Sequence, residues 1–390
     1  MLKVLQVVGT MNRGGAEVML MNILRNKPAD VHFDFLVNNP PEDLYREGVF
    51  DDEIRSYGCE IMHIGTQLRM GPLKYIRRFK EIYNELCPDV VHIHLNGKCG
   101  IISLAAHLAG CKKIITHCHA DIRFRGSLLS RILNETELFF QKFLIAHFAT
   151  GWWGCSIEAN KRLYWPWIRK NSVVINNAID LAAYQAVKPE DITAVRRSYN
   201  LPDSTIILGN VGRIVPHKNI AFVIEVMHEL RQRGKDVAFV VVGRDDSPEY
   251  SFSMRVRANE LGIPEERLLF LGEKENIPAV MNSFDVFIGP ALKEGFGLVA
   301  VEAQAACLPC VLYKGFPESV DMGTGLCFFM NSFDSSQWAE VVLKAIQQKS
   351  FVDNNPDTYK MIHCAIQSRG FDARKNAQNV CVLYSTLSSV

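Results

Sequence analysis

The chain contains, at residues 284–302, the stretch FDVFIGPALKEGFGLVAVE, which places a buried strand, a glycine-rich loop and a helix in succession. Phe284 to Pro290 has the near-continuous apolar character of a strand buried on both faces, and it ends in a Gly-Pro breaker. From Leu298 the apolar residues recur at helical spacing as far as Leu308. Such a turn is where open α/β sheets bind ligands and where a helix N-terminus favours phosphate.

Two carboxylates lie in this stretch, Glu294 in the loop and Glu302 about one turn inside the predicted helix. If the whole segment were helical, eight steps would advance about 12 Å and turn through about 800°, so such a pair can hold two ends of one elongated ligand. The alternative is two solvated glutamates, which is the more frequent case for an isolated pair. Gly295 and Gly297 favour the ligand-binding interpretation, because glycine lets the backbone approach a ligand closely.

The composition indicates an ordinary globular protein. Of 390 residues, 48% are hydrophobic and 22% charged, a length and balance that favour two domains. The net charge of +1 gives no global attraction to nucleic acid, so any anion site must be local. The 11 scattered cysteines suit a reducing cytoplasm, and we interpret the lone Cys-x-x-Cys at Cys307 and Cys310 as packing, with a metal or redox site as the minor alternative.

Neither a signal peptide nor an apolar run of membrane-spanning length is recognisable. We therefore expect a cytoplasmic protein, with association at the cytoplasmic face of a membrane as a further option.

Strands and helices alternate along the whole chain, which predicts an α/β fold of two Rossmann-like units, each a parallel sheet with helices on both faces. The strands are expected at 3–8, 32–37, 60–64, 90–94, 113–117 and 148–151, and then at 206–211, 237–242, 268–271, 286–288, 310–313 and 326–328. A polar segment from Asn177 to about Asp203, with one short charged helix, is interpreted as the linker. We predict domains over 1–180 and 181–371, with a helix at about 372–390 that can pack back on the first. Two such domains facing across a cleft suit a nucleotide ligand.

The first predicted strand leads into Gly14 and Gly15, just before a helix that opens at about Ala16. Glycines at that junction expose backbone amides to an anion, although a simple tight turn is the alternative. The stretch is not the Gly-x-Gly-x-x-Gly fingerprint, and no acidic residue ends the next strand in the ribose-binding position. A dinucleotide oxidoreductase is therefore disfavoured.

The second unit opens in a similar way, with Gly212, Arg213 and Lys218 between a strand and a helix. Arg213 supplies a fork for phosphate oxygens, Lys218 a point charge, and the following helix its positive end. Together they could neutralise a diphosphate without a metal. Two solvated loop cations are the alternative.

Histidines cluster at two strand ends: His92 and His94 on one face of one strand, and His117 and His119 at the end of the next, followed by Asp121. Four imidazoles on neighbouring strands could bind zinc, but no cysteine joins them at ligand spacing. A histidine at a strand end can equally contact a ligand hydroxyl. Substrate contact by at least one of them is the favoured interpretation, and structural roles are the other alternative.

Two further charged segments have ordinary alternatives. Asp245 and Asp246 invite a magnesium interpretation, but no third acidic group is placed to complete a site, so we favour a solvated turn. Residues 69–80 form a basic amphipathic segment that could contact an anionic membrane surface or a lipid-linked acceptor, whereas an ordinary surface helix is the alternative. The tryptophans near 152–167 are expected to pack in the core.

Taken together, these residues resemble the retaining glycosyltransferases of family 4, which have the GT-B fold. The resemblance covers almost the whole chain and is carried in order by Gly14–Glu17, Thr116–His119, Cys155–Ser156, Val174–Asp180, Gly212–Arg213 with Lys218–Asn219, Phe270–Gly272, and Glu294–Gly297 with Glu302. The portion from Gly209 to Pro309 is most similar to enzymes of capsular and exopolysaccharide assembly.

The resemblance implies transfer of a sugar from a nucleotide diphosphate donor to an acceptor hydroxyl with retained configuration. The family favours uridine as the base, with guanosine as the alternative. It implies that Glu294 contacts the donor sugar and Glu302 the ribose. Arg213 and Lys218 would stabilise the departing diphosphate, and His119 would meet the sugar at the reacting centre, with His117 as the alternative.

The implied donor-binding residues are Gly14, Gly15, Gly212, Gly295, Phe296, Gly297, Leu298 and Glu302. No metal cofactor and no nucleic acid is implied, and the acceptor is a saccharide or a lipid-linked one. Two positions depart from the family pattern: Ala178 stands where glycine often follows asparagine, and Cys307 where glycine often precedes Leu-Pro. A nucleotide-sugar epimerase of the same architecture and a non-catalytic sugar-nucleotide binding protein remain as alternatives.

Overall fold

A computed structural model describes residues 1–12, 14–119, 122, 124 and 126–387. The chain divides into two compact units: Met1–Ala178 with Ala373–Val390, and Ile179–Asp372. Each unit is built on one parallel sheet, as the alternating pattern predicts. Asp121, which the sequence places beside the histidines, lies outside the described residues.

The strands of the two sheets are numbered along the chain. The first sheet contains β1 (Leu2–Val8), β2 (Val31–Asn39), β3 (Ile61–Gly65), β4 (Val90–Ile93), β5 (Lys113–Cys118), β6 (Gly151–Gly154) and β7 (Val173–Val174). The second contains β8 (Ile206–Val211), β9 (Val237–Val242), β10 (Leu268–Phe270), β11 (Val286–Gly289), β12 (Cys310–Tyr313) and β13 (Cys327–Met330).

The helices are also numbered along the chain. Those up to residue 198 are α1 (Gly15–Asn26), α2 (Asp51–Ser56), α3 (Gln67–Met70), α4 (Pro72–Leu86), α5 (Cys99–Leu108), α6 (Leu128–Phe148), α7 (Ile157–Leu163), α8 (Pro166–Arg169), α9 (Leu181–Gln185) and α10 (Pro189–Ser198). The others are α11 (Phe222–Gln232), α12 (Pro248–Glu260), α13 (Ile277–Asn282), α14 (Leu298–Ala305), α15 (Ser335–Asp353), α16 (Pro356–Ser368) and α17 (Ala373–Thr386). Among the described helices, none combines the length and the apolar character needed to cross a bilayer.

The strand order explains where ligands can bind in each unit. The first sheet runs β3-β2-β1-β4-β5-β6-β7 and the second β10-β9-β8-β11-β12-β13. The order therefore reverses between β1 and β4 in the first unit and between β8 and β11 in the second. Loops leave the sheet in opposite directions at such a switch point, which opens a crevice at the carboxyl ends of the strands. The loops after β8 and β11 consequently meet.

The strand predicted at 148–151 is wrong in position. Helix α6 continues to Phe148, and the strand is Gly151–Gly154. The reason lies in α6 itself: apolar residues occupy both its buried and its exposed sides, so its sequence lacks the one-sided helical pattern. Taken by itself, the apolar run just before Gly151 therefore resembles a buried strand.

The segment interpreted as a linker is packed structure beyond Asp180. It carries two helices, α9 and α10, where one short helix was predicted. Leu181, Tyr184 and Tyr199 are buried in the core of the second unit. Arg196 also forms an ion pair with Asp285 at 3.0 Å, which ties α10 to the start of β11.

Helix α17 belongs to the first unit although it ends the chain. It packs against α1, and Ala377, Val380 and Tyr384 are buried with residues of β1 and β2. The Tyr384 ring stacks on Trp153 at 5.4 Å. The end of the chain therefore completes the core that surrounds the histidines.

Candidate active site

An ion pair joins the two loops that meet in the second unit. Lys218 Nζ contacts Glu294 Oε1. Lys218 ends a short 3₁₀ turn after β8, and Glu294 lies in the loop between β11 and α14. The Leu292 amide donates to the His217 carbonyl at 3.0 Å and fixes the loops to each other. The structure thus brings Lys218, one of the two cations predicted to serve the diphosphate, to Glu294, the carboxylate predicted to contact the sugar.

The pair is only slightly exposed: the Lys218 side chain is 20% exposed and that of Glu294 12%. Charges with so little water around them interact more strongly than a surface pair. Either group can therefore act strongly on a charged ligand placed beside it.

Close backbone contacts position the Glu294 loop. The Glu294 amide donates to the Gly315 carbonyl at 2.9 Å, and a Cβ at Gly315 would lie 2.0 Å from the Ala291 carbonyl oxygen. Gly297 adopts a left-handed conformation (φ +83°) at the start of α14, and a Cβ there would lie 2.5 Å from the Phe316 ring. These two glycines are required by packing. A Cβ at Gly295, in contrast, would meet nothing within 4 Å, so its backbone is open to a ligand.

The N-terminus of α14 has no side-chain cap. The amides of a first helical turn lack partners within the helix, and they carry the positive end of the helix dipole. Leu298 is the first helical residue, and the Phe296 ring just before it stacks on Phe371 at 5.1 Å. The predicted donor-binding residues 295–298 therefore form an uncapped helix start beside the ion pair.

Arg213 is held apart from this pair. Its side chain is 59% exposed and contacts Asp246 Oδ2 at 3.3 Å, while Arg244 Nε lies 2.5 Å from Asp246 Oδ1. The hydrogen bond from Arg244, and to a smaller extent that from Arg213, lowers the pKa of Asp246. Within the described residues, no contact joins Arg213 to Lys218 or Glu294. Gly212, directly before Arg213, adopts φ +151°.

The paired aspartates are exposed, as expected of a solvated turn, and both also contact protein donors. Asp246 is shared by the two arginines. Asp245 accepts hydrogen bonds from the Ser247 amide at 3.0 Å and from Ser251 Oγ at 2.5 Å. Both carboxylates are occupied by protein donors.

Glu302 lies one turn inside α14, as predicted. Burial raises the pKa of this carboxyl to about 7. Among the described residues, none forms a hydrogen bond or ion pair with it. A desolvated carboxyl without a protein partner is a candidate for ligand contact, and near neutral pH it holds a proton about half of the time.

In the first unit, the four predicted histidines form one cluster at the ends of β4 and β5. His94 Nδ1 lies 2.8 Å from His119 Nε2, and His92 Nε2 lies 3.2 Å from His117 Nδ1. Burial is the main cause that lowers the pKa of each imidazole, for His119 to about 4. All four are neutral at pH 7.

The two histidines between which the sequence could not choose, His117 and His119, differ in their exposure. His117 is fully buried, whereas His119 is partly exposed. The His119 amide donates to Asn96 Oδ1 at 2.7 Å, which anchors the chain at this point. His119 thus has the better access to a ligand.

Ligand nitrogens of His92, His94 and His117 lie within 4.8 Å of one another, close enough for a metal ion. Hydrogen bonds to other side chains already engage most of these nitrogens. Zinc would have to displace those bonds, so the geometry favours a hydrogen-bonded cluster.

Helix α1 starts at Gly15, and Gly14 precedes it without a side-chain cap. The Glu17 carboxylate folds back to this end: a Cβ at Gly14 would lie 2.2 Å from Glu17 Oε2. Burial raises the pKa of Glu17. A negative group of the helix itself therefore already faces its positive end.

Sequence reasoning missed several side chains that support these sites. Gln6 and Tyr384 contact the histidines, Asn96 holds His119, and Phe371 stacks on Phe296. One signal was available, since Gln6 is the polar residue within the apolar run of β1. Tyr384 and Phe371 are distant in sequence and gave no local signal.

Comparison with known proteins decides the family. The model described as glycosyl transferases group 1 matches residues 191–360, and the model of glycosyltransferase family 4 matches residues 13–183. The chain is 30% identical to EpsF of Bacillus subtilis (strain 168), in an alignment covering 98% of this chain and 96% of EpsF. It belongs to the family 4 glycosyltransferases. The resemblance drawn from the motifs is confirmed, and the epimerase and the non-catalytic binding protein receive no support.

Two further comparisons place this glycosyltransferase. The capsular polysaccharide biosynthesis glycosyltransferase CapH of Staphylococcus aureus is 24% identical, over 91% of this chain and 94% of CapH. The crystal structure of Anabaena Alr3699/HepE in complex with UDP matches with a TM-score of 0.77 and 21% identity, over 99% of this chain and 100% of that one. The predicted GT-B fold is confirmed.

The two departures from the family pattern are accommodated differently in this glycosyltransferase. Cys307 adopts a left-handed conformation (φ +53°), which explains why glycine often stands there. Ala178 is not among the residues with positive φ, and its carbonyl accepts a hydrogen bond from Asn22 Nδ2 at 2.9 Å. Alanine therefore fits position 178 without strain.

Proposed function

We propose that this glycosyltransferase moves a sugar from a UDP-sugar to an acceptor hydroxyl during assembly of a cell-surface polysaccharide, with retention of anomeric configuration and without a metal cofactor. The observation that carries the proposal is the ion pair of Lys218 and Glu294 beside the uncapped start of α14. It offers a cation and helix amides for a diphosphate, and a carboxylate for sugar hydroxyls, within one loop pair.

The nature of the donor and of the product is supported by relatives. HepE was solved in complex with UDP, and CapH is named for capsular polysaccharide biosynthesis. A diphosphate also suits the charges of the second unit, since Arg213 and Lys218 both lie in the segment between β8 and α11.

The proposed chemistry rests on charge that develops as the bond to the sugar breaks. Negative charge then grows on the departing diphosphate, and fixed cations aimed at it stabilise the transition state. Lys218 and the α14 amides supply this stabilisation, and Arg213 can add to it by leaving its exposed pair with Asp246. Glu294 accepts hydrogen bonds from hydroxyls of the sugar and orients it. Side-chain cations and the amides of α14 take the place of the metal ion that many transferases use.

In the first unit, we propose that His119 contacts a hydroxyl of the sugar at the reacting centre. Its partial exposure and its neutral imidazole support this role. Gly14 and Gly15 would line the donor or the acceptor at the start of α1.

A transfer assay tests the proposal. Purified, EDTA-treated protein is incubated with UDP-sugars or GDP-sugars and a saccharide or lipid-linked acceptor, and the product is analysed by NMR. We expect transfer from a UDP-sugar with the donor's anomeric configuration. Inverted product would contradict retention, activity restored only by Mg²⁺ or Mn²⁺ would contradict metal independence, and exclusive use of GDP-sugars would contradict uridine.

The pKa of Glu302 predicts that UDP binding releases protons near neutral pH. Burial favours the neutral carboxyl, whereas ribose hydroxyls that donate to it favour the ionised form, so binding lowers its pKa from about 7. We expect the affinity for UDP to rise as the pH increases to about 7 and then to level off. Calorimetry in buffers of different ionisation enthalpy measures the released protons.

The control for this prediction is Glu302→Gln, which keeps the shape but cannot titrate. It should leave only the proton release that comes from the phosphate of UDP, whose own pKa is about 6. Equal proton release by wild type and variant would show that Glu302 does not contact the ribose.

We further propose contact with an anionic membrane surface, where a lipid-linked acceptor would be found. The sequence assigned such contact to residues 69–80, but Tyr75 and Phe79 of that segment are fully buried, and Leu73 is the large apolar side chain that it exposes. Helix α6 instead exposes a row of apolar side chains: Leu128, Leu129, Ile132, Leu133, Phe139, Phe140 and Phe143. Their spacing places them on one side of the helix.

Aromatic and cationic groups flank this row. The ring centres of Phe139 and Trp165 lie 5.5 Å apart, and Lys142 Nζ lies 4.5 Å from the centre of the Trp165 ring. Trp167, expected in the core, is 62% exposed and stacks on Trp165. Apolar, aromatic and basic residues side by side are typical of helices that lie at a membrane interface.

Vesicle sedimentation tests this membrane contact. We expect the triple variant Phe139→Ser, Phe140→Ser, Phe143→Ser to reduce binding to vesicles of anionic phospholipid by at least about tenfold, because three aromatic side chains no longer enter the bilayer. The matched control is Leu68→Ser with Leu73→Ser, two exposed residues near α4, which should bind like wild type. Absence of vesicle binding by wild type, with a dimer that the triple variant disperses, would identify the face as a protein interface.

A further inference from the structure

Six polar side chains in the interior of the first unit form one hydrogen-bonded chain from His119 to helix α17 and back to β5. In order, its members are His119, His94, Gln6, Tyr384, His92 and His117. In the first arm, His119 Nε2 lies 2.8 Å from His94 Nδ1, and His94 Nε2 lies 2.9 Å from Gln6 Oε1. The Gln6 Nε2 atom lies 3.2 Å from Tyr384 Oη, which connects the two arms. In the second arm, Tyr384 Oη lies 2.6 Å from His92 Nδ1, and His92 Nε2 lies 3.2 Å from His117 Nδ1.

Both ends of this histidine chain are incomplete. His119 Nδ1 and His117 Nε2 are buried and have no hydrogen-bond partner among the described residues. Every ring nitrogen between these ends is bonded. Since burial keeps the four imidazoles neutral, each ring carries one proton, and each can donate from one nitrogen only.

The amide of Gln6 sets the direction of the first arm. Its oxygen can only accept, so His94 must carry its proton on Nε2. The Nδ1 atom of His94 is then an acceptor, and the proton in its bond to His119 must come from His119 Nε2. The remaining nitrogen of His119, Nδ1, is left without a proton.

The same amide sets the second arm. Its nitrogen donates to Tyr384 Oη, so the hydroxyl proton is free to bond His92 Nδ1. His92 then carries its own proton on Nε2 and donates it to His117 Nδ1. Reversing the Gln6 amide would reverse every bond in both arms and move all four ring protons to Nδ1.

We propose that Gln6 and Tyr384 are positioning residues that hold all four histidines in the Nε2–H tautomer and thereby keep His119 Nδ1 as a hydrogen-bond acceptor for a hydroxyl of the bound sugar. Tyr384 Oη accepts from the Gln6 amide nitrogen and donates its own proton to His92 Nδ1, so it joins the two arms of the chain. Only the part that concerns the sugar hydroxyl rests on the function proposed above. Helix α17 is thus linked to the candidate active site through side chains that do not touch substrate.

NMR of the wild-type protein labelled with ¹⁵N-histidine tests the proton positions directly. Ring correlations distinguish a protonated from an unprotonated nitrogen, and single His→Gln variants assign the 11 histidines. We expect His92, His94, His117 and His119 all to carry the proton on Nε2. Any one of the four in the Nδ1–H form would overturn the proposal, whether or not the protein transfers sugar.

Substitutions test the control by Gln6 and Tyr384. In Gln6→Met and in Tyr384→Phe we expect His119 to populate both tautomers, and kcat to fall about tenfold with a smaller change in the donor KM. The matched control is Tyr75→Phe, which removes another buried hydroxyl, bonded to Asn38 at 2.6 Å, without touching the histidines. It should leave kcat and the His119 spectrum unchanged.

A double-mutant cycle separates positioning from general damage to the fold. If Gln6 acts through His119, Gln6→Met should have no further effect on kcat in the His119→Ala background. Additive losses, or an unchanged His119 spectrum in folded Gln6→Met and Tyr384→Phe proteins, would overturn the proposal. Should these variants fail to fold, the wild-type spectrum decides alone. A correct spectrum in a protein without transferase activity would contradict the proposed function and leave the proton positions standing.

Discussion

Lys218→Ala is expected to lower kcat by at least about 100-fold, the scale on which enzymes lose rate when a group that stabilises developing charge is removed. Two effects combine. The ammonium that would face the departing diphosphate is lost, and Glu294, whose side chain is only 12% exposed, is left without its partner. An unpaired carboxylate there would repel the diphosphate. Steady-state kinetics with a saturating UDP-sugar measures the loss.

Lys218→Arg keeps the charge but not its position, because a planar guanidinium cannot replace a compact ammonium in a closed pair. It should recover only part of the rate. The matched control is Lys235→Ala, which removes an exposed lysine just before β9, at the opposite end of the strands from Lys218. It should behave like wild type. A kcat of Lys218→Ala within about threefold of wild type would remove Lys218 from the mechanism.

Glu294→Ala is also expected to lower kcat by at least about 100-fold, for a different reason. The sugar would lose the carboxylate that orients its hydroxyls, so fewer bound donors would be placed for reaction. Binding of UDP, which has no sugar, should not weaken, because Lys218 is released from its ion pair and can meet the diphosphate fully. Loss of turnover with retained UDP binding is thus the signature of Glu294. Kinetics and calorimetry on one preparation measure both quantities.

The control variant is Glu340→Ala, an exposed glutamate on α15, which should leave both quantities unchanged. The contact of Lys218 with Glu294 further predicts that their effects are not additive, and the double alanine variant should be little slower than the slower single variant. Strict additivity would show that the two residues act independently. Weakened UDP binding by Glu294→Ala would place its carboxylate at the nucleotide instead of the sugar.

The elements that form the second-unit site could be predicted because their signals are local. The apolar run of β11, the Gly-Pro breaker at its end and the helical spacing from Leu298 determine a strand, a loop and a helix. What local patterns do not contain is the order of strands in the sheet. Lys218 and Glu294 are 76 residues apart, and they meet because β8 and β11 are neighbours.

The supports of the first-unit site escaped prediction for the same reason. Gln6 and Tyr384 are 378 residues apart, and no periodicity links a polar residue in the first strand to a tyrosine in the last helix. Helix α6 was not predicted because large apolar residues lie on its exposed side as well as on its buried side, so the one-sided pattern expected of a surface helix is weak. Local sequence patterns do not identify a side chain whose role lies outside its own helix or strand.

Calorimetric titration with UDP and with uridine, on wild type and Lys218→Ala, tests most directly that the second unit binds a nucleotide diphosphate through Lys218. We expect wild type to bind UDP at least about 100-fold more tightly than uridine, since charge-assisted contacts to the diphosphate supply the difference. Lys218→Ala should weaken UDP by at least about tenfold and leave uridine unchanged. Equal binding of UDP and uridine by wild type, or UDP affinity unaffected by Lys218→Ala, would contradict the account.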